Sequence, residues 1–183
     1  MVAWPQHSRT EEPASTLALE TPRLLLRLPR PSDAPAFYAF LGDPVAMRFT
    51  QHHASLRECR RRLAVFEWQR RRSGYAPWAV TAKAGGHIVG WAGLYDDPFD
   101  PGWGVELGYS FHPAAWGLGY ATEVARACLA WADEVRNFAE VRAFTHPDNA
   151  ASRRVLEKSG FRPVRFVPEL DRLLHARAHP TGC

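Results

Sequence analysis

The chain has 183 residues, 46% hydrophobic and 23% charged side chains, and a formal net charge of +4. That length fits one domain with a substantial core, and no window approaches the roughly 18 uninterrupted apolar residues of a membrane span. The first fifteen residues lack an apolar signal core, and Cys59, Cys128 and Cys183 lack metal-ligand spacing, so the expectation is a cytoplasmic protein with reduced thiols.

Residues 1–15 read as a flexible arm, 16–177 as a single domain and 178–183 as a loose tail. Leu24, Leu26 and Leu28 alternate as a first strand. Residues 33–41 and 55–72 read as two helices with a break at Gly42-Asp43-Pro44. Ser55 and Glu58 fit a capping box, and Leu56, Cys59, Leu63 and Phe66 form the apolar stripe behind it. Arg57, Arg60, Arg61, Arg62, Arg70, Arg71 and Arg72 fall largely beside and opposite that stripe. A solvated helix face is the plain account of them; an acidic partner or RNA, bound in a salt-sensitive way, is the sharper one. Residues 78–81 and 88–94 flank Gly85-Gly86, a hairpin signal. Asp96, Asp97, Phe99, Asp100 and Trp103 then bring acidic and aromatic residues into one loop. It is either a solvated turn or a rim that holds a cationic amine.

The run 105–111 has period two and ends at His112-Pro113, because proline cannot donate to a ladder. From Tyr120 the spacing Val124, Cys128, Leu129, Ala132 is helical. Gly117 and Gly119 therefore lie where a strand turns into a helix, with free amides and the positive end of the helix dipole. The dinucleotide spacing is not met, since Thr122 stands where a third glycine would be, and a phosphate-loop Lys-Ser/Thr is also missing. A second strand follows at 141–145, then a helix from Asn149. Gly160 suits the position just past that helix, with Phe161 folding back near Leu156. Residues 161–174 supply the last strands.

The order Trp116-Gly117-Leu118-Gly119-Tyr120-Ala121, strand 141–145, then Asn149 to Phe161 resembles the Gcn5-related N-acetyltransferase (GNAT) superfamily. Within it, Leu19-Glu20-Thr21-Pro22-Arg23-Leu24 and Asp33-Ala34 are similar to the branch of the ribosomal-protein acetyltransferases RimJ and RimL, where tryptophan commonly takes the place held here by Trp116. The resemblance covers roughly residues 19–166. It implies an α/β fold with a mostly antiparallel sheet, whose central strands 105–111 and 141–145 run parallel and splay apart. It also implies acetyl-CoA in that gap: the pantetheine arm against the backbone of 109–112 (Ser110, Phe111 and His112 among them), the diphosphate at Trp116, Gly117, Leu118, Gly119, Tyr120, Ala121 and Thr122, and Asn149 and Ser152 near the arm and the sulfur.

Acetyl transfer needs a base for a protonated amine, a donor for the thioester oxygen and an acid for the leaving thiolate. Glu106 is the candidate base. Alternation turns it away from Val105, Leu107 and Tyr109, and a partly apolar cleft would raise its pKa; its plainer roles are ion-pair partner or substrate anchor. A backbone amide near Phe111 serves the oxygen, and Ser152 is the candidate acid unless it makes only a helix-start hydrogen bond. Tyr109 and His146 stand in reserve, His146 chiefly as a turn residue before Pro147. No metal is expected. The expected partner is an amine, either a protein N-terminus or a small amine, amino acid or antibiotic. A homodimer is compatible with this, whereas membrane and nucleic acid are not expected. A non-catalytic CoA-binding or RNA-binding module is the alternative of another class.

Overall fold

The computed structural model describes residues 18–97 and 102–180. Its strands are β1 (Ala18–Glu20), β2 (Leu24–Arg27), β3 (Trp78–Ala82), β4 (Ile88–Tyr95), β5 (Glu106–Phe111), β6 (Glu140–Thr145), β7 (Arg162–Val167) and β8 (Arg172–Ala178), and its helices are α1 (Ala34–Leu41), α2 (Leu56–Ser73), α3 (Tyr120–Trp131) and α4 (Ala150–Lys158). The strands form one sheet in the order β1-β2-β3-β4-β5-β6-β8-β7. Every neighbouring pair is antiparallel except β5 and β6. This is the mixed α/β arrangement that the GNAT resemblance implies.

Alternation along the strands feeds two cores. Leu26, Val80, Leu94, Leu107 and Phe111 turn to one face, where Val124, Cys128 and Leu129 of α3 and Leu156 of α4 cover them. Ala79 turns to the other, where Phe37, Phe40 and Leu41 of α1 and Cys59, Leu63 and Phe66 of α2 pack. The sheet thus separates an α1/α2 side from an α3/α4 side, and successive residues of β5 look into different compartments.

Local signals explain the helix ends. The Ser55 hydroxyl accepts from the Glu58 amide, while the Glu58 carboxylate accepts from the Ala54 amide at 2.7 Å, one residue earlier than a regular capping box. At the end of α4 the Phe161 amide donates to Leu156 O at 3.0 Å and the Gly160 amide to Glu157 O at 3.1 Å, the paired bonds of a Schellman motif. Order extends past the expected boundary at Arg177: β8 runs to Ala178, and the His179 amide donates to Ala139 O at 2.9 Å. Residues 1–17 and 181–183, which hold most of the expected arm and tail, lie outside the described residues.

Candidate active site

Strand β5 is paired with β4 along its whole length, from Gly90↔Phe111 to Tyr95↔Glu106. On its other edge it meets β6 at one register pair, Glu106↔Arg142, where the Arg142 amide donates to Val105 O at 2.8 Å. Beyond that point the two strands part. Alternation turns the backbone groups of Leu107, Tyr109 and Phe111 to the same edge as Val105, so they face the gap. Such an edge accepts an extended ligand as an added strand. The usable stretch is shorter than the expected 109–112. The His112 amide is committed to Val89 O at 2.8 Å, and the Phe111 carbonyl accepts the Trp116 indole N–H at 3.0 Å. The backbone groups of Ser110 turn toward β4. Of Ser110, Phe111 and His112, only Phe111 offers an amide to the gap, together with the amide and carbonyl of Tyr109.

After β5 the chain makes a short turn, Pro113–Ala115, capped by His112 Nδ1, which accepts the Ala114 amide at 3.1 Å. Gly119 stands at the N-cap of α3 with φ of 78° and offers no side-chain cap. The first-turn amides of α3, at Tyr120, Ala121 and Thr122, therefore lie where an anion binds a helix start. Gly117 has φ of 75° and open space where a Cβ would stand. The loop is held from outside by Arg23. Its guanidinium donates to Leu118 O at 2.8 Å and to the Glu123 carboxylate at 2.7 Å, and lies 4.8 Å from the centre of the Tyr120 ring. The Thr21 hydroxyl donates to the same carboxylate at 2.6 Å. Burial alone would raise the Glu123 pKa, but the bonds from Thr21 and Arg23 hold it below its ordinary value. Sequence reasoning missed this brace; its signal was Thr21-Pro22-Arg23, noted only as part of the resemblance.

Asn149 caps α4 through Oδ1, which accepts the Ser152 amide at 3.1 Å. The Ser152 hydroxyl is thereby left out of the helix-start bond and lies 2.8 Å from the Tyr109 hydroxyl. Burial pushes the Tyr109 phenol up to about 12, against a smaller opposing effect of the Ser152 bond. His146 is a turn residue: its Nδ1 accepts the Asp148 amide at 3.1 Å. Its ring also stacks on Phe49 with centroids 5.2 Å apart, and its Nε2 lies 3.5 Å from an Asp171 carboxylate oxygen.

Glu106 is buried at 5% exposure and projects to the α1/α2 side, opposite Leu107 and Tyr109. The Tyr95 hydroxyl hydrogen-bonds to it. Burial, and then the Glu106 charge, push the Tyr95 phenol far above its ordinary pKa. A Cβ at Gly108 would meet the Tyr95 ring at 2.7 Å and the Trp91 ring at 3.1 Å, so a bare glycine lets both rings close over β5 beside Glu106. The chain between α1 and α2 covers the far end of the strand, where Met47 Sδ lies 3.5 Å from Ser110 Oγ. Asp96 is turned inward: its carboxylate accepts the Tyr75 hydroxyl at 2.7 Å and its carbonyl accepts the Gln69 amide. It does not serve as part of an acidic rim, and Phe99 and Asp100 lie outside the described residues. Trp103 packs edge-on against Phe144 at 5.2 Å.

Among the described residues no group of three or more His, Cys, Asp or Glu side chains is arranged to hold a metal, and no helix is long and apolar enough to cross a membrane. Cys59 and Cys128 are buried free thiols, and burial pushes both up in pKa, Cys128 to about 12.

The chain is similar to known proteins. YkkB of Bacillus subtilis (strain 168) is 34% identical over 146 residues, which is 78% of this chain and 83% of YkkB. An acetyltransferase structure from Agrobacterium tumefaciens C58 superposes with a TM-score of 0.76 at 25% identity, covering 87% of this chain and 92% of that one. The ribosomal L7/L12 α-N-protein acetyltransferase RimL, solved with coenzyme A, shares the fold with a TM-score of 0.73 at 16% identity, covering 88% and 97% of the two chains. The family model of the GNAT acetyltransferase domain matches residues 23–162. That stretch contains the open strand edge, the glycine loop and the Tyr109–Ser152 pair, and the chain belongs to the GNAT acetyltransferase family.

Proposed function

We propose that this protein transfers the acetyl group of acetyl-CoA directly to a primary amine, with a protein N-terminal α-amine as the first acceptor to test. The observation that carries the reading is the parting of β5 and β6, with a carboxylate on one side of the sheet and a hydroxyl pair on the other. A thioester lying in that gap is open to attack from the Glu106 side, while its sulfur is left toward Tyr109 and Ser152.

Each step falls to a named group. The α3 start with Gly117, Gly119 and Ala121 receives the diphosphate, and the amide and carbonyl of Tyr109 are offered to the pantetheine arm. Glu106, directly or through one water, takes the proton of the incoming ammonium, whose pKa is about 8 for an α-amine. The freed nitrogen attacks the thioester carbon, and the Phe111 amide steadies the oxygen as it becomes negative. The carbon–sulfur bond then breaks, the thiolate leaves, and the nitrogen gives up its second proton to solvent. A phenol at about 12 is a weaker acid than a thiol at about 8.5, so Tyr109 acts on the thiolate as a hydrogen-bond donor, with solvent supplying the final proton.

RimL, which shares the fold, was solved with coenzyme A, which supports coenzyme A as the ligand to test. Calorimetry with CoA tests this first half of the reading: binding in the micromolar range supports it, and no heat of binding at millimolar CoA removes it. An N-acetyltransferase, as opposed to a CoA-binding module, also releases thiol only when an amine is present.

A further inference from the structure

Arg62 sits on the same stripe of α2 as Phe66 and Gln69, the residues that dock this helix onto the sheet. Phe66 packs on Trp91 with ring centroids 5.6 Å apart, and Trp91 is the ring that closes over Gly108 beside Glu106. The Arg62 guanidinium lies 6.0 Å from the centre of the Phe66 ring, partly buried, on the Glu106 side of the sheet. Its positive charge acts on the Tyr95 hydroxyl, which is bonded to Glu106, and opposes the larger effects of the Glu106 and Asp97 charges there.

Arg62 has no ion-pair partner among the described residues. The two glutamates of its own helix make bonds to other groups. Glu58 accepts from the Ala54 amide at 2.7 Å, and Glu67 pairs with Arg70 at 2.7 Å and Arg71 at 2.8 Å. The Asp96 carboxylate accepts the Tyr75 hydroxyl. A partly buried guanidinium that makes no direct ion pair among the described residues gains from an arriving carboxylate, which it can grip with two parallel N–H groups.

We propose that Arg62 is a specificity-determining residue that binds a carboxylate carried by the acceptor, so that the preferred substrate is an amine with an acidic group close to it. The proposal rests on the acceptor site assigned above to Glu106. The carboxylate has two sources: the α-carboxylate of a free amino acid, or an acidic side chain just behind the free N-terminus of a peptide. Polycationic acceptors such as polyamines and aminoglycosides are disfavoured by the same charge.

The test is amine-dependent thiol release from acetyl-CoA with matched acceptors. Free glutamate is compared with glutamate α-amide, and Ser-Glu peptides with Ser-Gln peptides, both capped at the C-terminus. Wild type should favour one carboxylate member over its uncharged mate by on the order of tenfold to a hundredfold in kcat/KM, the worth of one charge-assisted contact. The pair showing the preference identifies the source. Arg62→Gln should erase that preference by raising KM for the carboxylate acceptor alone, Arg62→Lys should restore part of it, and CoA affinity should be unchanged in both. Equal loss on both members of a pair, or no loss on either, overturns the role of Arg62 while leaving the transferase reading intact. No thiol release by wild type with any acceptor overturns both.

Discussion

The hydroxyls of Tyr109, on β5, and Ser152, on α4, lie 2.8 Å apart on the α3/α4 side of the sheet. Two residues that sequence reasoning treated as alternatives are therefore one unit, able to share a proton and to present one donor toward the gap. Tyr109→Phe should lower kcat by on the order of 10²- to 10³-fold, the range for losing a donor to a developing anion. Ser152→Ala should cost less, because it leaves the phenol in place. Steady-state kinetics with CoA affinity measured alongside checks this. Unchanged kcat in both variants would remove the pair from the chemistry.

Gly119 at φ of 78° starts α3 in a conformation that a β-branched residue adopts only under strain, and its added Cβ would lie 3.5 Å from the Arg23 guanidinium. Gly119→Val should weaken CoA binding tenfold or more by moving the loop amides and crowding the diphosphate. The readout is calorimetry on a variant whose circular dichroism matches wild type. A folded variant with wild-type affinity contradicts the loop assignment.

The Arg23–Glu123–Thr21 brace carries a pH signature. The Glu123 pKa is lowered in the folded protein from an ordinary 4.5. The unfolded state therefore takes up the proton first as pH falls. The stabilisation is fully present above about pH 4.5 and is lost as pH drops through the lower folded value. The melting temperature of wild type should fall more steeply below pH 5 than that of Glu123→Gln, which has no such carboxylate to titrate. Parallel curves for the two proteins would show that the brace contributes no linked stability.

Much of this was legible in the chain. Leu24 and Leu26, the Gly85-Gly86 turn and the Leu56, Cys59, Leu63, Phe66 stripe each follow from local periodicity, and the elements they imply are present. The strand–glycine loop–helix order likewise forecast where free amides gather. What could not be read was anything created by pairing across the sheet. That Tyr95 meets Glu106, that Arg23 reaches Leu118 and Glu123, and that Tyr109 meets Ser152 depend on register and on helices laid over opposite faces. Single-strand alternation gave the side of the sheet on which Glu106 lies, but not the rings of Tyr95 and Trp91 beside it. His112 looked like part of the cofactor edge because it follows β5 directly; its amide instead closes on Val89.

An acetyl thioester is already an activated acyl donor, and the groups assigned here need no Lewis acid to act. Turnover should therefore survive prolonged treatment with a chelator. A loss of rate that one divalent ion restores would contradict this.

The central claim is that Glu106 delivers a neutral amine to acetyl-CoA, and the most direct measurement is amine-dependent thiol release by wild type and Glu106→Gln across pH. Wild type should release one thiol for each acetylated amine. The variant should bind acetyl-CoA normally but lose on the order of 10²- to 10⁴-fold in kcat. The gap should narrow as rising pH supplies more neutral amine. A rise in KM with little change in kcat would reduce Glu106 to a substrate anchor. A folded Glu106→Gln protein with the wild-type pH–rate profile would contradict the account.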